Sequence, residues 1–217
     1  MACAVIATLN RMIEERSLLK HPFYQAWTAG ELPVERLRNY AIRYYPHVAA
    51  FPRYLSAIHS RCDDIVTRQA LLENLIEEER GAENHPELWL RFAEALGVDR
   101  SQVVEAPVTR AMEKVVTTFN ELCASGSVAA GLAAIYAYEA QIPAVASAKI
   151  DGLKQFYGIC DDRGLAFFRV HEEADVWHSR TDAKLIEKHC SSEADEACAI
   201  DAGRRALDSL CSALDSM

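Results

Sequence analysis

The sequence predicts an all-α protein. Prolines, glycines and Asp, Asn or Ser residues stand where helices would begin and end. Between them, apolar residues recur every three or four positions. No stretch alternates apolar and polar residues between turn pairs, as strands would.

The helices can be justified in chain order. Lys20-His21-Pro22 opens one near Phe23–Trp27, and Gly30 stops it. Pro33 starts the next, through LRNYAIRYYPHV, which Pro46 kinks or ends. Another begins near Phe51-Pro52 and reaches Arg61. Asp63 or Asp64 caps the helix that carries Leu71, Leu72, Leu75 and Ile76. Asn84 or His85 caps the following one. There Pro86 falls in the first turn, Leu88, Trp89, Phe92, Ala93 and Leu96 share a face, and Gly97 ends it. Ala111–Cys123 is amphipathic. Ser127–Tyr138 is almost wholly apolar and so expected at the centre. Pro143 interrupts the next stretch, which resumes to Phe156. Asp161–Lys188 and Ser192–Leu214 complete roughly eight to ten segments.

The 217 residues are enough for one well-cored domain over 1–217, and no linker or repeat divides them. Twenty-three Lys and Arg against 32 Asp and Glu give a net charge of −9, which argues against nucleic-acid or anionic membrane partners. The seven cysteines are odd in number, scattered and without a CxxC pair. A disulfide framework or thiolate zinc site is therefore not expected, and buried, inert thiols in a reducing cytoplasm are. MACAVIATLNRM lacks the basic start of a signal peptide, and the apolar run Val128–Tyr138 is too short to span a bilayer.

Three elements point to chemistry. In FFRVHEEADVWHSR, His171, Asp175 and His178 are spaced i, i+4, i+7 and share one helical stripe. A solvated charged face is the ordinary reading of such a run. Phe167, Phe168, Ala174 and Val176 give this helix an apolar face as well, and burying three such groups is costly unless something binds them. In LIEEERGAENHPELW, Glu78 and His85 are seven apart and share a face if the helix continues, against the indications of Gly81 and Pro86; Glu77 and Glu79 fit that face less well. Glu139 is a lone carboxylate ending the apolar run GLAAIYAYE. Three carboxylates and three imidazoles from helices are the inventory of a two-metal centre, with iron, or iron and manganese, better suited than structural zinc. His47 and His59 read as structural histidines.

With these motifs in view, the chain resembles the haem-oxygenase-like di-metal oxidases and oxygenases, most closely the CADD family of bacterial para-aminobenzoate-forming proteins. The resemblance is carried by HPFYQAW, YYPHVAAFPRYLSAIHSRCDD, LIEEERGAENHPELW, YAYEAQIP and HEEADVWHSR, and it fades after about Ser191. It implies a seven-helix bundle and metal ligands at Glu78, His85, Glu139, His171, Asp175 and His178. It also implies an unusual O2-dependent reaction needing an external reductant. The side chain of Tyr24 becomes the ring of para-aminobenzoate for folate biosynthesis, Lys149 gives the nitrogen, and Tyr40 and Tyr138 line the site. A homodimer is common for such a fold. On composition alone Tyr24 is a packed aromatic and Lys149 a snorkelling surface lysine. Two other readings stand beside this one: a multi-turnover di-metal oxidase of an external small molecule, and an interaction protein for death domains. A thiaminase-like role is weaker, because no cysteine sits where a nucleophile would.

Overall fold

Side-chain caps set most helix starts. Asp64 accepts from the Thr67 amide, Asn84 from Glu87, Thr109 from Met112, Ser127 from Ala130, Asp161 from Gly164 and Ser192 from Asp195. The computed structural model describes residues 2–217, apart from the side chains of Ala2, Cys3 and Glu173. Its helices are α1 (Ala2–Glu15), α2 (Pro22–Thr28), α3 (Val34–Arg61), α4 (Ile65–Glu79), α5 (His85–Ala95), α6 (Arg100–Val104), α7 (Arg110–Ser125), α8 (Val128–Glu139), α9 (Ile142–Phe156), α10 (Asp162–His189) and α11 (Glu193–Leu214). Short 3₁₀ turns lie at Leu18–Lys20 and Gly81–Glu83. The expected seven helices are thus corrected to eleven α-helical segments among the described residues, because α1 and the short α6 add to the set and proline and glycine divide longer runs.

α8 is the hub. Apart from its first residue it is buried along its whole length, as its apolar composition requires. It packs on α11, α10 and α7. Val128–Phe156 is long and apolar enough to cross a membrane, but 78% of its most apolar window is buried inside the fold, as in a core helix. The outer layer is built by α3, which packs on α7, α4 and α5, and by α10, which packs on α9, α5 and α8 and only lightly on α4.

One expectation about breaks is corrected and another is met. α3 runs unbroken through both Pro46 and Pro52. Each proline removes one backbone bond, yet Tyr40, Tyr44, His47, Phe51, Tyr54 and Ile58 form one buried stripe that holds the helix on its neighbours. By contrast, α4 and α5 are not one helix. Gly81 takes a positive φ of 76° and turns the chain, and Pro86 then occupies the first turn of α5, where its missing N–H removes no bond. The buried-thiol expectation holds for Cys62, Cys123 and Cys190, but Cys160 and Cys198 are exposed; Cys3 lies outside the described side chains.

Candidate metal centre

α10 aligns His171, Asp175 and His178 along one stripe, and the stripe continues one step further to Asp182. All four are at least 94% buried. Phe167, Phe168, Leu165 and Ile186 supply the apolar cover, whereas Val176 is turned outward, contrary to its expected place beside the stripe. His171 Nδ1 lies 2.6 Å from the carbonyl of Phe167, which can only accept, so Nδ1 carries the proton and Nε2 keeps its lone pair.

Glu78 lies in the last turn of α4 and His85 starts α5, on either side of the turn at Gly81, and both are buried. Glu78 Oε1 and His85 Nδ1 are 2.8 Å apart. The two groups meet because the helix breaks, not because it continues. Glu139 closes α8 with 1% of its surface exposed, so this helix end does not face water. It accepts from Asn74 Nδ2 at 2.9 Å.

These six side chains form two triads: Glu78, His85 and His171, and Glu139, Asp175 and His178. In each, one ligand atom per residue lies within 4.8 Å of the others. The residues fit a pair of cations. His85 Nδ1, Glu139 Oε2, Asp175 Oδ2 and His178 Nε2 are buried and make no hydrogen bond, although His85 Nδ1 is near Glu78 and His178 Nε2 is 3.2 Å from Glu77. Buried polar atoms left without a hydrogen bond on both triads are donors that a cation would satisfy. Burial also leaves the charges uncompensated. It pushes the Asp175 carboxyl up to about 6 and, with Asp182 and Asp175 nearby, raises Glu139 well above the carboxylate range. Burial and the adjacent His85 hold His171 well below its ordinary value, in the neutral form a metal needs. No cysteine takes part, and the nitrogen and oxygen donors suit iron or manganese.

Against this centre lies an aromatic chamber. Tyr24 on α2, Tyr40 and Tyr44 on α3, and Tyr138 on α8 are all buried. Tyr24 and Tyr40 share a hydrogen bond of 3.2 Å, and Tyr44 Oη donates to Tyr138 at 3.4 Å. Lys149 is buried among rings, not on the surface. Its Nζ donates to Tyr40 Oη at 2.8 Å and sits 5.0 Å from the centre of the Tyr24 ring. Burial lowers the ammonium to about 7. The space between triads and chamber is lined by ligand side chains together with His47, Phe51, Phe167 and Tyr138. It measures about 10 Å³, room for one water-sized molecule.

Three polar residues of this region escaped the sequence reading. Asp182 faces Glu139 within hydrogen-bonding reach and was legible as the i+11 member of the α10 stripe. Tyr44 follows Tyr40 by one turn. Asn74 had no signal beyond its place one turn before Glu78.

Fold and site together define a helical protein with two buried triads of carboxylate and imidazole that could each hold a metal ion. The model of a family of iron-containing redox enzymes matches residues 38–210, and the chain belongs to that family. It is 45% identical over 208 residues to a 4-aminobenzoate synthase of Chlamydia muridarum, covering 96% of this chain and 87% of that one. To a 4-aminobenzoate synthase of Nitrosomonas europaea it is 43% identical over 218 residues, covering 96% and 89%. A domain of unknown function with a haem-oxygenase-like fold from Shewanella denitrificans superposes with a TM-score of 0.75 at 16% identity, covering 98% of this chain and 88% of that one.

Proposed function

We propose that the protein forms para-aminobenzoate, for folate biosynthesis, in a dioxygen-dependent reaction that consumes its own Tyr24 once per molecule, with Lys149 as the nitrogen source. Formation of para-aminobenzoate is supported by the two synthase relatives. The internal substrate is supported by one observation above the rest: the Lys149 amine lies over the Tyr24 ring and is bridged to its hydroxyl through Tyr40.

The six triad residues would hold two redox ions, iron or iron with manganese, which with an external reductant supply the electrons that reduce dioxygen. The chain's own contribution is positional. Burial keeps the phenols of Tyr24, Tyr40 and Tyr138 protonated, with values raised far above those in water. It also leaves a substantial share of Lys149 as the free amine near neutral pH, the form that can act as a nucleophile. Phe23, Trp27, Trp89 and Phe168 keep water from both groups.

The test is intact-mass analysis before and after exposure to iron, manganese, reductant and air. Each turnover should remove the Tyr24 side-chain mass, and product should stop near one equivalent per chain. Tyr24→Phe should retain its metals and yield no product. Product in molar excess over protein, or an unaltered Tyr24 in a chain that has turned over, would overturn the proposal.

A further inference from the structure

His47 is the one imidazole among the described residues that lines the cavity without belonging to either triad. It sits on the buried stripe of α3 with no exposed surface, enclosed by the rings of Tyr44, Phe51, Tyr54, Phe119 and Tyr138. Its Nδ1 is 3.4 Å from Tyr54 Oη, the sole hydrogen-bond partner of that hydroxyl among the described residues. Its Nε2 is buried and has no partner in the protein.

These contacts fix the ring's proton. Tyr54 is fully buried, and its O–H needs an acceptor. Nδ1 serves only if it carries a lone pair. Burial keeps the imidazole neutral by driving its value down to about 3, so the ring holds one proton, and that proton lies on Nε2. The outcome is a buried N–H donor without a protein partner, on a histidine that lines a cavity with room for a single water-sized molecule. A donor left without an acceptor there is costly; one that meets an oxygen or nitrogen lone pair on the occupant is not.

We propose that His47, through Nε2–H, is the hydrogen-bond donor that positions a diatomic oxygen-type ligand in the cavity beside the two triads. This rests on the reading of the triads as a metal centre, and the tests separate the two. His47 is then a positioning residue, not a metal ligand, and Tyr54 sets its tautomer.

The first test needs no metal. Long-range proton–nitrogen spectra of the metal-free protein, with His47→Gln to assign the resonance, should show His47 protonated at Nε2. Tyr54→Phe should weaken that preference. The opposite tautomer in the parent protein would overturn the proposal, whatever the variants do. The second test uses nitric oxide as the diatomic probe on anaerobic, ferrous-loaded protein. Parent, His47→Phe and His47→Gln should all bind about two irons per chain. Affinity for nitric oxide should fall about tenfold in His47→Phe, the size of one hydrogen bond, and recover in part in His47→Gln. Unchanged affinity in His47→Phe with full iron content refutes the donor role. Iron lost from the variants alone would make His47 a ligand and equally refute it. No iron in the parent would overturn the metal centre itself.

Discussion

Lys149 states the energetics of the site most directly. An amine surrounded by Tyr24, Trp27, Tyr40, Tyr44 and Phe168 loses its hydration, and burial alone brings its value from 10.5 to about 7. Below pH 7 both folded and unfolded chains carry the proton, and the folded state bears the whole desolvation penalty. Between pH 7 and 10.5 the unfolded chain binds the proton and the folded one does not, so stability rises with pH by up to about 1.4 kcal/mol per unit. Lys149→Met removes this dependence. The variant should be the more stable protein near pH 7, and the parent should regain about 2–3 kcal/mol on it by pH 9, as read by urea unfolding at the two values. A gap that does not move would mean the amine is hydrated. Asp182 gives a second prediction. As the neighbour of Glu139 it orients a ligand of the second triad, and Asp182→Ala should weaken metal retention there about 10- to 100-fold while the Glu78 triad keeps its ion. Metal content after dialysis against a weak chelator reads this out. At this scale the sequence is legible wherever residues share one helix: i, i+4, i+7 found the α10 stripe, and one further step would have reached Asp182. It is silent on Lys149, because a lone lysine in ASAKI carries no mark of what α2 and α3 place over it.

At the scale of elements, the site depends on how α2 is held. This helix has only seven residues, too short to be stable alone, and it carries Tyr24. It docks on α9 where Gly152 lets Trp27 approach; a Cβ at Gly152 would lie 2.7 Å from Trp27 Cδ1 and 3.2 Å from its backbone oxygen. Trp27 is fully buried and packed on Phe23, Tyr40 and Phe92, so it has nowhere to move. Gly152→Ala gains helix propensity of about 1 kcal/mol but should still lower stability by about 1–2 kcal/mol, since overpacking of this kind costs up to about 3. Scanning calorimetry would show it, and Trp27 fluorescence should shift with it; a higher melting temperature would mean α2 is not locked by this contact. Two of the prolines mislead here. Pro46 and Pro52 were read as breaks, but the buried stripe of α3 outweighs two lost backbone bonds. Gly81 and Pro86 were signs of the real break, and the approach of Glu78 to His85 through it is a tertiary fact that no periodicity contains.

Across the whole molecule, metal bound at the two triads would also clasp α4 to α10, which pack only lightly on each other. At one end the two helices are tied by Lys188 to Asp64 at 2.6 Å and by Thr67 to His189 at 2.9 Å. At the other, Glu77 of α4 lies 3.2 Å from His178 of α10, and a shared ion would further join Glu78 of α4 to His171 of α10. Metal at a thousandfold excess over its dissociation constant should add about 4 kcal/mol, or roughly 8–16 °C in melting temperature for a chain of this size. The pH dependence should then reverse between the two forms. In metal-free protein the carboxyls of Asp175 and Asp182 are raised from 3.8 to about 6 and about 7, so the folded state binds more protons than the unfolded, and stability falls as pH rises from about 4 to 7. In loaded protein those same carboxyls must be deprotonated to bind or orient the ion, so the stabilisation by metal grows over the same range. Melting curves with and without a chelator should therefore nearly meet near pH 4–5 and diverge toward pH 7. Hydrogen exchange at pH 7 should show chelation loosening the C-terminal half of α4 while α8 and α11 stay protected. Parallel curves across that range, or equal loss of protection in α8, would mean that the six groups do not clasp the bundle through bound ions.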